Sequence, residues 1–211
     1  MKKLLIAISA FFLATSSVLA DVKIGAKITG IEFSGAKGTE ETRGVVTSET
    51  DSISAAYGSI FAEVDVMGFV SVGIDFIPYS IEGETVSNQR RNSSGTVLQT
   101  NLGSIDIENH ATLYFLKNIG DAGAFVKLGA SYADATTTES NSSGRTYTND
   151  EVYGGHLGLG FEKDVSEFFV RAEVGYSEYS TAVFKSSSNK TRIKAALGDG
   201  VHAALSLGKS F

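Results

Sequence analysis

The sequence predicts an all-β chain that closes into an eight-stranded antiparallel up-and-down transmembrane β-barrel. Three observations lead there. Eight segments alternate apolar with polar or small residues at a period of two, as strands with one lipid-facing and one inward face do. Their connections alternate strictly between long polar stretches and tight turns, the asymmetry of a barrel with loops outside and turns on the periplasmic side. The chain also ends on an aromatic residue, Phe211, after a strand in which Val201, Ala203, Leu205 and Leu207 share one face.

Composition narrows the class. The 211 residues include no Cys, no Trp, one Pro and 23 Gly. That length suits one all-β domain, and the absence of Cys rules out a disulfide framework or a thiolate metal site. No apolar run beyond the N-terminus approaches the roughly 20 residues of a spanning helix. Residues 1–20 read as a secretory signal peptide: Lys2 and Lys3 open it, Leu4 to Leu13 form its apolar stretch, and Val18-Leu19-Ala20 precedes the cut. Asp21 follows rather than Cys, which argues against a lipid-modified N-terminus. Residues 21–211 are then the barrel domain, exported to a bacterial cell outer membrane. The 18 basic residues less Lys2 and Lys3, against 24 acidic ones, leave a mature net charge of −8. Nucleic acid is excluded as a partner, because it needs a basic face.

The first strand, from Asp21, sets Val22, Ile24, Ala26 and Ile28 against Lys23, Gly25 and Lys27. Ile31 and Phe33 fall on the opposite phase, which suggests a bulge or emergence from the barrel. A polar loop is expected over 35–51. Ile60, Ala62, Val64 and Val66 then oppose Tyr57, Ser59, Phe61, Glu63 and Asp65. After a tight turn at Met67-Gly68, Val70, Val72, Ile74 and Phe76 oppose Ser71, Gly73 and Asp75. Pro78 stands where ladder pairing stops, and a second loop is expected over 81–103. The fourth strand sets Ile105, Ile107, Ala111, Leu113 and Phe115 against Asp106, Glu108, His110, Thr112 and Tyr114, with Asn109 interrupting. The fifth sets Val126, Leu128, Ala130 and Tyr132 against Phe125, Lys127, Gly129 and Ser131. A third loop is expected over 134–150. The sixth and seventh strands carry Tyr153, Leu157, Leu159 and Phe161, then Phe168, Val170, Ala172, Val174 and Tyr176, on their apolar faces. A last loop over 181–200 leads to the closing strand.

On this topology the apolar-face aromatics gather at two levels, as interfacial anchors do. Phe76, Tyr132, Tyr153 and Tyr176 lie at outer ends, and Phe115, Phe161, Phe168 and Phe211 at periplasmic ends. The inward faces carry a charge network of Lys23, Lys27, Lys127 and Arg171 with Glu63, Asp65, Glu162 and Glu173. Side chains nearly fill a barrel of about eight strands, so these charges should pair and plug it. His110, His156 and His202 also face inward. They stand on non-neighbouring strands and point away from lipid, and no Gly-x-Ser-x-Gly motif is present. Hydrogen bonding in the lumen is therefore expected of them, not catalysis or metal binding.

The pattern, the leader and Phe211 together resemble the small eight-stranded outer-membrane β-barrel proteins, the OmpX-like proteins and the transmembrane domain of OmpA-like proteins. The resemblance covers essentially the whole mature chain, without a peptidoglycan-binding domain. It implies that Val201, Ala203, Leu205, Leu207 and Phe211 form the signal read by the barrel assembly machinery. Lys209 departs from that pattern, and its amine is expected to snorkel to headgroups. The expected protein is a monomeric, non-enzymatic barrel without cofactors, in contact with outer-membrane lipid including lipopolysaccharide. Arg90, Arg91, Lys185, Lys190, Arg192 and Lys194 are candidates for its phosphates. A structural or adhesion-like surface role is expected. A narrow pore for ions or small solutes and an outer-membrane lipid-modifying enzyme are the alternatives.

Overall fold

Each of the eight alternating segments forms a strand, and the ladder between first and last closes the ring. The structure is a computed structural model that describes residues 21–211 apart from 43, 67, 69, 92–96, 141–145 and 189–190. The leader, residues 1–20, lies outside the described residues. In chain order the strands are β1 (Val22–Thr42), β2 (Val45–Asp65), β3 (Val70–Phe76), β4 (Val86–Arg91), β5 (Val97–Ile119) and β6 (Ala124–Ser140). There follow β7 (Asp150–Val165), β8 (Phe168–Tyr179), β9 (Ala182–Lys185), β10 (Thr191–Ala196) and β11 (Asp199–Ser210). The ring runs β1-β2-β3-β5-β6-β7-β8-β11 and returns to β1, with every pairing antiparallel. Closure matters because an unpaired edge in hydrocarbon would leave backbone groups without partners. The closing strand satisfies it on both sides, with Leu205 opposite Ile28 on β1 and opposite Ala172 on β8.

The stretches expected as loops are largely strand. The β1–β2 ladder continues through 35–51 to Thr42 opposite Val45, so the first connection is a long hairpin standing beyond the ring. The β-branched residues Val45, Val46, Thr47, Thr50 and Ile53 favour this ladder. In the second connection β4 pairs with the outer part of β5. In the third, β6 continues to Ser140 against β5. In the fourth, β9 pairs with β10, and β10 lies against the outer part of β1.

Ile31 and Phe33 take the phase expected of them, and one face assignment changes. Ile31 and Phe33 keep the inward phase of Thr29 and are buried, and the register shift comes after them, between Phe33 and Ala36, where Gly35 takes a φ of 72°. On β5 a bulge between Glu108 and Ala111 inverts the phase, with Asn109 at a φ of 52°, in the left-handed region that Asn tolerates. Ile105 and Ile107 therefore turn inward, against an apolar cluster of Ala133, Ala135, Val152, Ala182 and Phe184, rather than outward in line with Leu113.

Below that cluster the outer surface is apolar. Leu128, Leu157, Leu159, Val174, Val201, Leu205 and Leu207 are all exposed. Phe115, Phe161, Phe168 and Phe211 are exposed at the periplasmic end, and Tyr153 and Tyr176 at the outer end. Such a belt is stable only in lipid.

Candidate functional site: the barrel interior

Inward-pointing positions of neighbouring strands place the charged side chains in layers. Arg171 of β8 is the centre of the lowest layer and only 2% exposed. Its Nη1 donates to Glu63 Oε2 at 3.1 Å and its Nη2 to Glu63 Oε1 at 3.2 Å, a fork matched to both oxygens of one carboxylate. Its Nε donates to Glu162 Oε2 at 3.0 Å, and Lys23 donates to Glu162 Oε1 at 2.5 Å. The Tyr114 hydroxyl completes Glu63 from 3.1 Å. The guanidinium lies 5.2 to 5.6 Å from the ring centres of Phe61, Phe125 and Phe169, so the cation is enclosed by aromatic faces as well as carboxylates. Glycines make room for this filling. A Cβ at Gly25 would collide with the Phe61 ring, and one at Gly73 with Tyr114.

Above it, Lys127 Nζ donates to Glu173 Oε2 at 2.5 Å. Lys27 pairs with Asp75, an inward residue that the sequence reading left out of the charge network. Asp65, which that reading included, lies at the periplasmic end of β2 and accepts from the Ser71 hydroxyl rather than from a base. The other seven expected members, Lys23, Lys27, Glu63, Lys127, Glu162, Arg171 and Glu173, each make an ion pair inside the barrel.

The histidines are less scattered than strand order implies. His202 of β11 stands opposite Gly175 of β8, and His156 of β7 stands opposite Ser177 of the same strand. Because Gly175 has no side chain, the two rings meet over it, with centroids 4.6 Å apart and planes 23° apart. A Cβ on Gly175 would strike the His202 ring. Both Nε2 atoms face Glu173 Oε1, at 2.9 and 3.4 Å, and both Nδ1 atoms face Ser177 Oγ, at 3.2 and 3.4 Å. His110 stands apart, with Nε2 3.0 Å from the Tyr179 hydroxyl. Ser177 was not singled out from the sequence; its sign there is its inward position next to a glycine pair, Gly158 opposite Gly175. The space left between these layers is a cavity of about 20 Å³, bordered by Tyr57, His110, His156 and His202 among others. That is room for one water.

At the closing strand, His202 and Ser206 are buried in the lumen while Val201, Leu205 and Leu207 face outward. Lys209 is accounted for by its setting. Its Nζ donates to Glu167 at 2.8 Å and lies 6.0 Å from the Phe168 ring centre and 5.5 Å from that of Phe211, at the periplasmic rim. At the opposite rim, the Tyr132, Tyr153 and Tyr176 hydroxyls donate to Asp134, Glu151 and Asp199, at 2.5, 2.7 and 2.6 Å. Of the basic loop residues, Lys185, Arg192 and Lys194 are exposed on the β9–β10 hairpin, Arg192 directly opposite Lys185. Lys190 lies outside the described residues.

No protein-family model and no curated protein matches the sequence. Solved structures do match in shape. The outer membrane protein OprG of Pseudomonas aeruginosa is similar over 91% of this chain and 96% of its own, at 11% identity and a TM-score of 0.52. The outer membrane protease OmpT of Escherichia coli is similar over 93% of this chain and 100% of its own, at 10% identity and a TM-score of 0.50. The fold is that of the bacterial outer-membrane β-barrels, and the closed ring with its apolar belt places the chain in the outer membrane.

Proposed function

We propose that this chain is a non-conducting, non-enzymatic outer-membrane barrel whose function lies in envelope structure and in surface contact made by its outer strands. The observation that carries the reading is the interior. Four bases are paired with four acids across the lumen, and the cavity between them admits one water. An ion would have to break buried pairs to pass, and an unpaired charge in a dry interior is strongly disfavoured.

Surface contact is supported by the exposed Lys185 and Arg192. Arg192 stands between Lys185 on β9 and Glu41 on β1, and an anionic group such as a lipopolysaccharide phosphate would add negative charge beside the two exposed cations. The barrel acts as a monomer, inserted by the barrel assembly machinery through Val201, Ala203, Leu205, Leu207 and Phe211. Planar-bilayer recording with the purified protein tests the reading. No discrete conductance is expected. Reproducible channels whose conductance changes in Arg171→Ala would overturn it in favour of a narrow pore.

A further inference from the structure

The stacked pair of histidines poses a counting problem. Suppose both rings are neutral and carry their protons on Nε2, where Glu173 Oε1 accepts both. The two Nδ1 lone pairs then face one Ser177 hydroxyl, which has a single proton to give. Suppose instead that one ring moves its proton to Nδ1 and donates it to Ser177, which in turn donates to the other ring. The first ring then turns a bare Nε2 lone pair toward a carboxylate oxygen. With both protons on Nδ1, two lone pairs and a carboxylate converge on one point. Every neutral arrangement leaves a lone pair without a donor, in a site where His202 and Glu173 are each 4% exposed. The arrangement with both protons on Nδ1 lets Ser177 Oγ accept from both rings, frees its own O–H to donate elsewhere, and becomes favourable once a cation occupies that point.

We infer that His156 Nε2, His202 Nε2 and Glu173 Oε1 form a binding site for a divalent transition-metal ion of the zinc type, inside the barrel. These three donor atoms lie within 4.8 Å of one another. In a tetrahedral site with bonds of about 2.0–2.1 Å, donors are about 3.4 Å apart, and the two Nε2–Oε1 separations are 2.9 and 3.4 Å. For both Nε2 lone pairs to meet at one ion, the rings must open from their 23° stack and swing about Ser177 toward Glu173. Both rings also border the 20 Å³ cavity, which has room for one water as a fourth ligand. Two His and one carboxylate with an open fourth position is a set that suits zinc.

The surroundings are those of a built site. In that tautomer Ser177 Oγ accepts from both Nδ1 atoms, which would orient the rings as an outer-shell partner does. Gly158 and Gly175 clear the space for the Glu173 carboxylate and the His202 ring; a Cβ at either would collide with them. Lys127 holds the other carboxylate oxygen, Oε2, and leaves Oε1 for the metal. Its ammonium also repels the ion and so limits affinity.

The test is zinc titration of the full barrel, purified in detergent, stripped with chelator and checked for folding by heat-dependent gel mobility. Metal content is read by mass spectrometry. One zinc per barrel is expected, bound at least tenfold more weakly by His156→Gln and by His202→Gln and unchanged by His110→Gln. Ser177→Ala should weaken binding by about tenfold. Lys127→Met should tighten it, because a repelling charge is removed. A native barrel that binds no more zinc than the double histidine variant overturns the assignment, as does weaker binding by Lys127→Met. If the histidine variants do not fold, cobalt binding to the native barrel decides: the intense visible bands of a four-coordinate ion support the site, and the weak bands of a six-coordinate ion overturn it.

Discussion

The membrane half of the barrel and its outer half are built from the same strands with opposite chemistry. On β6, odd-numbered residues point inward throughout. In the membrane half these are Lys127 and Ser131, with Leu128 facing out; farther along they are Ala133 and Ala135, with Asp134 and Thr136 away from the core. On β1 the inward series passes from Lys27 and Thr29 to Ile31 and Phe33, while the outward series passes from Ile28 to Glu32. On β7, Val152 is buried and Glu151 exposed on the outer side of Tyr153, whereas His156 faces in and Leu157 out on its inner side. The backbone geometry does not change at these points. The solvent does: lipid outside requires an apolar exterior and permits a polar core, and water outside reverses both preferences. Three tyrosines, each bonded to an acid just beyond it, stand at the crossover.

Substitutions that test this contrast fall in order of expected effect. Arg171→Ala leaves Glu63 and Glu162 buried without their main partner, and a loss of about 3–5 kcal/mol in barrel stability is expected by urea unfolding in detergent. Arg171→Lys keeps the charge but loses the fork, so it should fall between the two. Leu128→Arg puts a charge against hydrocarbon and should cost about 2–4 kcal/mol. Ala130→Arg, one lipid-facing position nearer the tyrosines, should cost less by the same unfolding assay, and equal losses would sink the boundary. Phe184→Ala empties the outer apolar cluster, which is built on β6, β7 and the β9–β10 hairpin. Faster protease cleavage in the outer strands is expected, with the ring itself still heat-modifiable on gels. Smallest of all, Lys209→Leu removes a rim pair that is largely exposed, and stability should move by no more than about 1 kcal/mol.

The contrast also explains which parts of the molecule were legible in the sequence. Where lipid is the outer solvent, alternation has a single meaning, and the faces of β3, β6, β7, β8 and β11 follow from it. Beyond the tyrosines, a Gly-, Thr- and Glu-rich run such as 35–51 reads as loop because its ladder hydrogen bonds belong to the backbone and leave little trace in side-chain pattern. The reversal at Asn109 was visible only as an interruption, since one extra residue flips every face after it. Ile105 and Ile107 were accordingly assigned to lipid although they belong to the outer core. In the interior, the charges were legible as a set but not as pairs. Register decides that Lys27 meets Asp75, and the empty position at Gly175 decides that His156 meets His202 across an intervening strand.

The central claim is that on β1, β6 and β7 the faces keep their direction while their chemistry exchanges at the tyrosine level. Its most direct measurement is a nitroxide scan along β6 from Val126 to Thr138, with accessibility to oxygen and to a water-soluble nickel complex read at each position in a bilayer. Even positions should favour oxygen up to Tyr132 and the nickel complex from Asp134 onward, while odd positions stay shielded from both. Even positions open to the nickel complex along the whole strand, or odd positions open to it below Ser131, would contradict the account.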